Sequence, residues 1–195
     1  MPQADQGVPR RRNPITRAIG RATMLLWGWR FEGVIPEVPK AVLVVAPHTS
    51  NWDFPVGVMA MFAQDLRLNW LGKHTLFDWP LGILMRALGG IPVRRGEGSG
   101  TVAEAISSFG GRAQLVLALA PEGTRQAVAG WKQGFSLIAA GAGVPVVPVA
   151  FDWGRRLVRL GPAFAMTGEP AADEATLRRW FAGTVARRPE RTDLR

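Results

Sequence analysis

Residues 41–54, with the sequence AVLVVAPHTSNWDF, constrain the fold of this chain more than any other segment. The apolar, largely β-branched run predicts a buried strand, which Pro47 ends because proline has no N–H for the ladder. Residues 49–51 are turn-forming types, and Asp53 stands just ahead of the apolar run PVGVMAMF, whose first residue is the proline favoured at a helix start. We therefore predict a strand, a tight turn and a helix.

His48 and Asp53 flank this turn, five positions apart. On a continuous strand they would lie on opposite faces, and on a continuous helix about 140° apart, so only a strand-to-helix turn lets them meet. If they do, Asp53 accepts from one imidazole nitrogen and leaves the other free to take a proton from a substrate hydroxyl. The alternative is a histidine at a strand end beside an aspartate that caps the helix. This segment by itself leaves both interpretations open.

Strand and helix patterns alternate along the rest of the chain. Its 195 residues, 47% of them hydrophobic, suit a single domain over residues 14–195. Further strands are predicted near 67–71, 91–93, 114–120, 144–151 and 156–160, and helices near 80–88, from the capping box Thr101-x-x-Glu104, near 131–142 and from 173. This predicts an α/β fold, a mixed and mostly parallel sheet flanked by helices, with ligands at the carboxyl ends of the strands.

Several kinds of chemistry are excluded by what the chain lacks. It has no cysteine, so disulfides, thiolate zinc sites and a cysteine acyl-enzyme are excluded, and with two histidines we expect no metal site. There is no G-x-S-x-G elbow, P-loop or G-x-G-x-x-G motif. The common serine-hydrolase and nucleotide-binding routes are therefore closed.

A net charge of +9 predicts an anionic partner, either nucleic acid or a membrane surface. Residues 1–13 are polar and basic and are predicted to be a disordered tail. Residues 14–30 predict an amphipathic helix whose apolar run, MLLWGW, is far shorter than the roughly 20 residues that span a bilayer. Its apolar side is formed by Ile15, Ala18, Ile19, Ala22, Leu26 and Trp29.

That helix either lies on a membrane or packs on its own domain. The N-terminus lacks the continuous apolar region of a signal peptide, so we expect a cytoplasmic protein that associates peripherally with an anionic membrane surface. Most tryptophans lie in apolar or Gly/Pro contexts, which disfavours a nucleic-acid-binding module.

Four blocks, taken together, carry a resemblance: HTSNWD at 48–53, GGIPVRR at 89–95, PEGTR at 121–125 and VPVVPV at 144–149. From about residue 40 to 151 the chain resembles the glycerolipid acyltransferase family, which includes lysophosphatidic acid acyltransferases. The resemblance implies transfer of a fatty acyl group from an acyl-CoA or acyl carrier protein thioester to a lysolipid hydroxyl. It implies no metal, no cofactor besides the acyl co-substrate, and no covalent enzyme intermediate.

The resemblance also implies roles for particular residues. His48 would be the general base and Asp53 its orienting partner, with backbone amides at residues 49–51 as candidates for binding an oxyanion. Arg95 and Arg125 would hold phosphate, since a planar guanidinium makes paired hydrogen bonds to it. The full substrate-binding set is Arg95, Glu122, Gly123, Thr124 and Arg125.

In that set, Gly123 would let backbone approach the ligand, and Glu122 would orient a hydroxyl or Arg125. A surface Glu122–Arg125 ion pair and an exposed basic strand end at residues 94–95 are the structural alternatives.

Departures from the family pattern concern the acceptor. Pro92, Arg94 and Thr75 stand where many relatives carry other residue types. The leading hypothesis is a lysophosphatidic acid-like acceptor, and the alternatives are a lyso-amino-acid lipid or a glycolipid. A non-catalytic membrane adaptor with the same fold is a further alternative, which the presence of both His48 and Asp53 disfavours.

Overall fold

The computed structural model describes residues 7–93, 98–192 and 194. The helices in this part of the chain are α1 (Pro14–Leu26), α2 (Asp53–Ala63), α3 (Leu81–Ala87), α4 (Gly98–Gly110), α5 (Gly134–Ala142) and α6 (Pro170–Phe181). The strands are β1 (Arg30–Glu32), β2 (Lys40–Ala46), β3 (Asn69–Lys73), β4 (Gly90–Val93), β5 (Leu115–Leu119), β6 (Val146–Asp152) and β7 (Leu157–Leu160). Short 3₁₀ turns occur at His74–Phe77 and Pro189–Arg191.

These strands form one sheet in the order β1-β7-β6-β2-β5-β3-β4. Neighbours are parallel except β6 and β7, which are antiparallel. The predicted α/β class with a mixed, mostly parallel sheet is confirmed. Because β2 lies between β5 and β6, the loop that carries His48 is flanked by the carboxyl ends of both neighbours.

Helices cover both faces of the sheet, as the nearly continuous apolar sequence of β2 requires. Ala41 and Leu43 belong to the core beneath α1 and α2. Val42 and Val44, which alternate with them, belong to the core beneath α4, α5 and α6. β2 is thus buried on both sides, which fixes the position of the turn at its end.

α1 is shorter than the predicted helix 14–30 because the chain turns at Gly28. The helix begins after Asn13, whose side chain accepts from the backbone N–H groups of two residues in the first turn. It ends at Leu26, and Gly28, at φ 75°, donates to the Leu25 carbonyl in a left-handed C-terminal cap. The next residues then enter β1, a three-residue strand too short for the sequence pattern to predict.

The side of α1 that packs on the domain is not the side that the sequence pattern predicts to be apolar. Met24 is buried, and Gly20 lies so close to α2 that an added Cβ would stand 2.4 Å from the backbone nitrogen of Ala63. Most of the apolar residues predicted to form one helix face are exposed: Ile15, Ala18, Ile19, Ala22 and Leu26. α1 therefore docks through Gly20 and Met24 and turns its apolar stripe away from the domain.

The described part of the predicted disordered tail is packed instead. Val8 is buried and donates its N–H to Glu37 Oε2 at 3.1 Å. Arg10 forms an ion pair with Glu37 and a β-bridge with Leu66. The prediction of a disordered tail is thus wrong for residues 7–13, because Val8 has an apolar pocket and Arg10 a carboxylate partner; residues 1–6 lie outside the described residues.

Two other local predictions differ from the structure. α4 begins at Gly98, so Thr101 lies within the helix and does not cap it as the T-x-x-E pattern predicts. α5 begins at Gly134, three residues after Trp131, because the chain from Pro121 to Lys132 is closed by the hydrogen bond from Lys132 N–H to the Pro121 carbonyl.

Candidate active site

The turn after β2 brings the His48 and Asp53 side chains together. Asp53 is the first residue of α2 and only 2% exposed. Its Oδ2 lies 3.4 Å from His48 Nδ1 and accepts the Ser50 N–H at 2.8 Å. Its Oδ1 accepts the Trp153 indole N–H at 2.8 Å. With Nδ1 facing the carboxylate, Nε2 is the His48 nitrogen left for a ligand, and the His48 side chain is 24% exposed.

The same turn is anchored from neighbouring elements. Glu122, 4% exposed at the end of β5, accepts the His48 backbone N–H on Oε2 at 2.9 Å. Thr49 is buried and its Oγ1 accepts the backbone N–H of Arg188 at 3.2 Å. The turn that positions His48 is therefore fixed both by the loop after β5 and by the C-terminal segment.

These contacts bear on two sequence-based expectations. The role of Glu122 in orienting a hydroxyl or Arg125 stays a prediction, and the structure adds that its Oε2 accepts the backbone N–H of His48. The Ser50 N–H is engaged by Asp53, and the Trp52 N–H donates to Ser50 Oγ at 3.2 Å. Since an N–H already bonded within the turn is less available to an oxyanion, Ser50 becomes a poor candidate donor.

The loop after β5 adds positive charge on one side of His48. Gly123 has φ 63°, and an added Cβ there would lie 2.6 Å from Lys132 Cε, so the lysine side chain lies across the glycine. Arg125 is exposed in the same loop, and Thr124 Oγ1 accepts the Gln126 N–H at 3.4 Å. Lys132 was not predicted, since nothing in its spacing from residues 121–125 indicates that the loop folds back onto them.

Arg95, the remaining member of the predicted substrate-binding set, lies outside the described residues, as does Arg94. β4 ends at Val93 and runs parallel to β3, so the chain reaches the end of the described segment at the carboxyl edge of the sheet.

A groove of about 410 Å³ lies on the other side of Asp53, next to the end of β6. The Arg187 guanidinium lies over the Trp153 ring at 4.5 Å and over the Trp52 ring at 5.3 Å. Trp153 is thus shared between the groove and the Asp53 carboxylate. The groove is lined by Leu26, Trp27, Trp29, Trp52, Val56, Trp153, Arg156 and Arg187. No local sequence pattern reveals this groove, because its walls come from α1, α2, the end of β6 and the C-terminal segment.

The acyltransferase family model matches residues 31–152, a range that includes all four sequence blocks. The fold is similar to the crystal structure of PlsC, the 1-acyl-sn-glycerophosphate (LPA) acyltransferase from Thermotoga maritima. That match has a TM-score of 0.60 and 21% identity and covers 85% of this chain and 76% of the other. None of the curated protein sequences matches significantly.

Proposed function

The chain belongs to the acyltransferase family, and we propose that it transfers a fatty acyl group from an acyl-CoA or acyl carrier protein thioester to a hydroxyl of a lysophosphatidic acid-like glycerolipid. The observation that carries this proposal is the 3.4 Å approach of Asp53 Oδ2 to His48 Nδ1, which leaves Nε2 as the basic nitrogen. The resemblance of the four sequence blocks to glycerolipid acyltransferases supports the choice of donor and acceptor.

In the proposed step, His48 Nε2 takes the proton of the acceptor hydroxyl while its oxygen attacks the thioester carbonyl. The carbon–oxygen bond forms, the carbon–sulfur bond of the tetrahedral intermediate breaks, and the thiolate leaves. The proton held by His48 passes to that sulfur, so the histidine returns to its neutral form. Asp53 stabilises the transient imidazolium through Nδ1, and the hydrogen bonds from Ser50 and Trp153 keep the carboxylate in position.

We propose that Arg125, together with Arg95, holds the phosphate of the acceptor. Arg125 is exposed in the loop that supplies Glu122 to the His48 backbone, and Lys132 adds a second cation to that loop. A guanidinium binds phosphate through two parallel hydrogen bonds, which the point charge of an ammonium does not reproduce.

Peripheral membrane attachment through α1 is part of the same proposal. The exposed apolar stripe of α1, with Leu26 84% and Ile15 69% exposed, supports it. Arg17 and Arg21 are exposed on the same helix and suit an anionic surface. Within residues 7–93, 98–192 and 194, no helix combines the length and apolarity that crossing a bilayer requires.

The test is a product assay with purified protein. Acyl-CoA and acyl carrier protein thioesters are each offered with lysophosphatidic acid, a lyso-amino-acid lipid and a lysoglycolipid, and products are identified by mass spectrometry. We expect the acylated phosphate-bearing lipid to dominate. Acylation of only the phosphate-free lipids would overturn the proposed acceptor, and no acyl product from any pair would overturn the reaction.

An Arg125→Lys variant sharpens the test of the acceptor. At saturating donor, we expect kcat/KM for the phosphate-bearing lysolipid to fall. The fall should correspond to a loss of about 1.5–3 kcal/mol in transition-state stabilisation, the range for a hydrogen bond to a charged group. Phosphate-free acceptors should be nearly unaffected. If the variant instead raises only the KM of the thioester, Arg125 binds the donor.

A further inference from the structure

The groove beside Asp53 combines an aromatic floor with two guanidinium groups. Arg187 lies over two indole rings, and Arg156 Nη1 donates to the Trp27 carbonyl at 2.7 Å. Within the described chain, no acidic residue lines the groove, and neither arginine has a carboxylate within ion-pair distance. Two cations held in place without an anionic partner indicate a site for an anion.

The groove is continuous with the exposed apolar stripe of α1. Leu26, the last residue of that helix, lines the groove, and its neighbour Leu25 is also exposed. Trp52, 53% exposed, forms part of the opposite wall. Tryptophan and arginine side chains are suited to the depth of lipid headgroups, because an indole ring contacts glycerol and methylene groups while a guanidinium binds phosphate.

From these observations we propose that the groove binds the headgroup of an anionic phospholipid in the membrane to which the protein attaches. The lipid phosphate lies between Arg156 and Arg187, and its glycerol and first methylene groups lie on the indole rings. This proposal extends the proposed membrane attachment and depends on it, and it does not depend on the acyl-transfer reaction. It also places Trp153, and with it the Asp53 carboxylate, beside the bilayer surface.

The arrangement of Arg187 gives the site selectivity beyond net charge. Its guanidinium is held in one orientation by two ring faces, so it presents its planar donors with little loss of side-chain freedom. Arg155 and Arg188 adjoin the two groove arginines in sequence, are exposed and do not line the groove. They carry the same formal charge at the same end of the sheet, although Arg155 Nε lies 3.8 Å from Asp152 Oδ2, and they control for the removal of two formal charges.

The experiment compares the double variants Arg156→Gln/Arg187→Gln and Arg155→Gln/Arg188→Gln with wild-type protein. Binding is measured by co-sedimentation with phosphatidylcholine vesicles with and without phosphatidylglycerol. For vesicles that contain phosphatidylglycerol, we expect the groove variant to lose about 30-fold in partition coefficient, roughly fivefold for each arginine at a charged bilayer surface. We expect the control pair to lose less than about fivefold.

Equal losses in the two double variants would show a diffuse electrostatic surface and overturn the site. Full retention of binding by the groove variant would overturn it as well. The thermal melting curve of each variant shows whether it is folded. The single variant Arg187→Lys is a milder change, because it keeps the charge but loses the planar group. An intermediate loss of vesicle binding by this variant supports the site, and no loss contradicts its selectivity. No turnover is measured, so failure of the groove proposal is distinct from failure of the proposed reaction.

Discussion

Asp53 and Asp173 are two buried carboxylates in the first turns of two helices, 2% and 3% exposed, yet their surroundings differ. Asp53 divides its oxygens among a backbone N–H, an indole N–H and the imidazole of His48. Asp173 is surrounded by hydroxyl and backbone donors that link α5, the preceding turn and α6. Its oxygens accept from Ser136 Oγ at 2.5 Å, from Thr167 N and Oγ1 at 3.0 and 2.9 Å, and from Gly168 N at 3.1 Å.

The difference between Asp53 and Asp173 shows which feature distinguishes a reactive carboxylate from a structural one. Burial and a position at a helix start are common to both residues, so neither identifies a reactive group. Only Asp53 faces a titratable side chain whose second nitrogen is left for a ligand. Asp173 is therefore a structural carboxylate, and Asp53 is the one that, in the proposed reaction, acts on the substrate through His48.

The largest expected effect comes from removing that titratable partner. We expect His48→Ala to lower the transfer rate by roughly 10²- to 10⁴-fold, the contribution of a general base, because His48 Nε2 is the proposed acceptor of the hydroxyl proton. The rate is measured with saturating substrates by mass spectrometry, and the urea midpoint confirms folding. A turnover close to that of the wild-type protein would make Asp53 as purely structural as Asp173.

The converse variant tests the structural carboxylate. We expect Asp173→Asn to reduce the free energy of unfolding by about 1.5–3 kcal/mol, since an amide cannot accept all the hydrogen bonds that the carboxylate accepts. The transfer rate per folded molecule should stay within about twofold of wild type, well below the factor of ten that one hydrogen bond to a charged group supplies. Urea unfolding measures the free energy of unfolding. A large fall in transfer rate at unchanged stability would contradict the structural role of Asp173.

Trp153→Phe removes one donor from Asp53 while keeping a ring beneath Arg187. A hydrogen bond to a charged group at the low end of its range predicts about a tenfold loss in kcat with little change in KM. An altered melting temperature with unchanged kcat would mean that the indole only fills space. Restoration of kcat by an N–H donor, in Trp153→His, would support its role in positioning Asp53.

The smallest effect is a pH dependence of stability that belongs to Asp173. Burial by itself raises the pKa of this carboxyl, but the hydrogen bonds from Ser136, Thr167 and Gly168 outweigh it and leave the pKa below its ordinary value. The contribution of the ionised Asp173 carboxylate to the free energy of unfolding is complete above the unfolded-state pKa of about 3.9. It is lost as the pH falls from there through the lower folded-state pKa. Urea unfolding between about pH 5 and pH 2 should show a shallower pH slope in Asp173→Asn. Equal slopes in the variant and the wild-type protein would rule out this contribution.

Local sequence determined much of the fold and the geometry of the candidate site. The buried run in β2 predicted the strand and the turn after it, and strand and helix geometry allow His48 and Asp53 to meet only across such a turn, where the structure brings them together. The family resemblance is likewise confirmed by the match over residues 31–152. Both predictions depend on residues close together in the chain or on recognisable blocks.

Other features depend on residues distant in the chain. Trp153 lies 100 positions from the carboxylate it contacts, and only the adjacency of β6 and β2 brings them together. The orientation of α1 depends on a close approach at Gly20 that no periodicity reveals, because an amphipathic pattern does not say whether its apolar side faces the domain. The roles of Arg125 and Glu122 in binding substrate stay predictions.

Asp53→Asn and Asp173→Asn, assayed side by side for acyl transfer and for unfolding, test most directly the claim that Asp53 acts through His48. The Asp53→Asn protein is expected to fold but to lose about 10²-fold or more in kcat, because an amide neither stabilises the imidazolium nor holds the required tautomer. The Asp173→Asn protein is expected to lose stability and keep its rate. An Asp53→Asn protein that transfers acyl groups at the wild-type rate would contradict the claim.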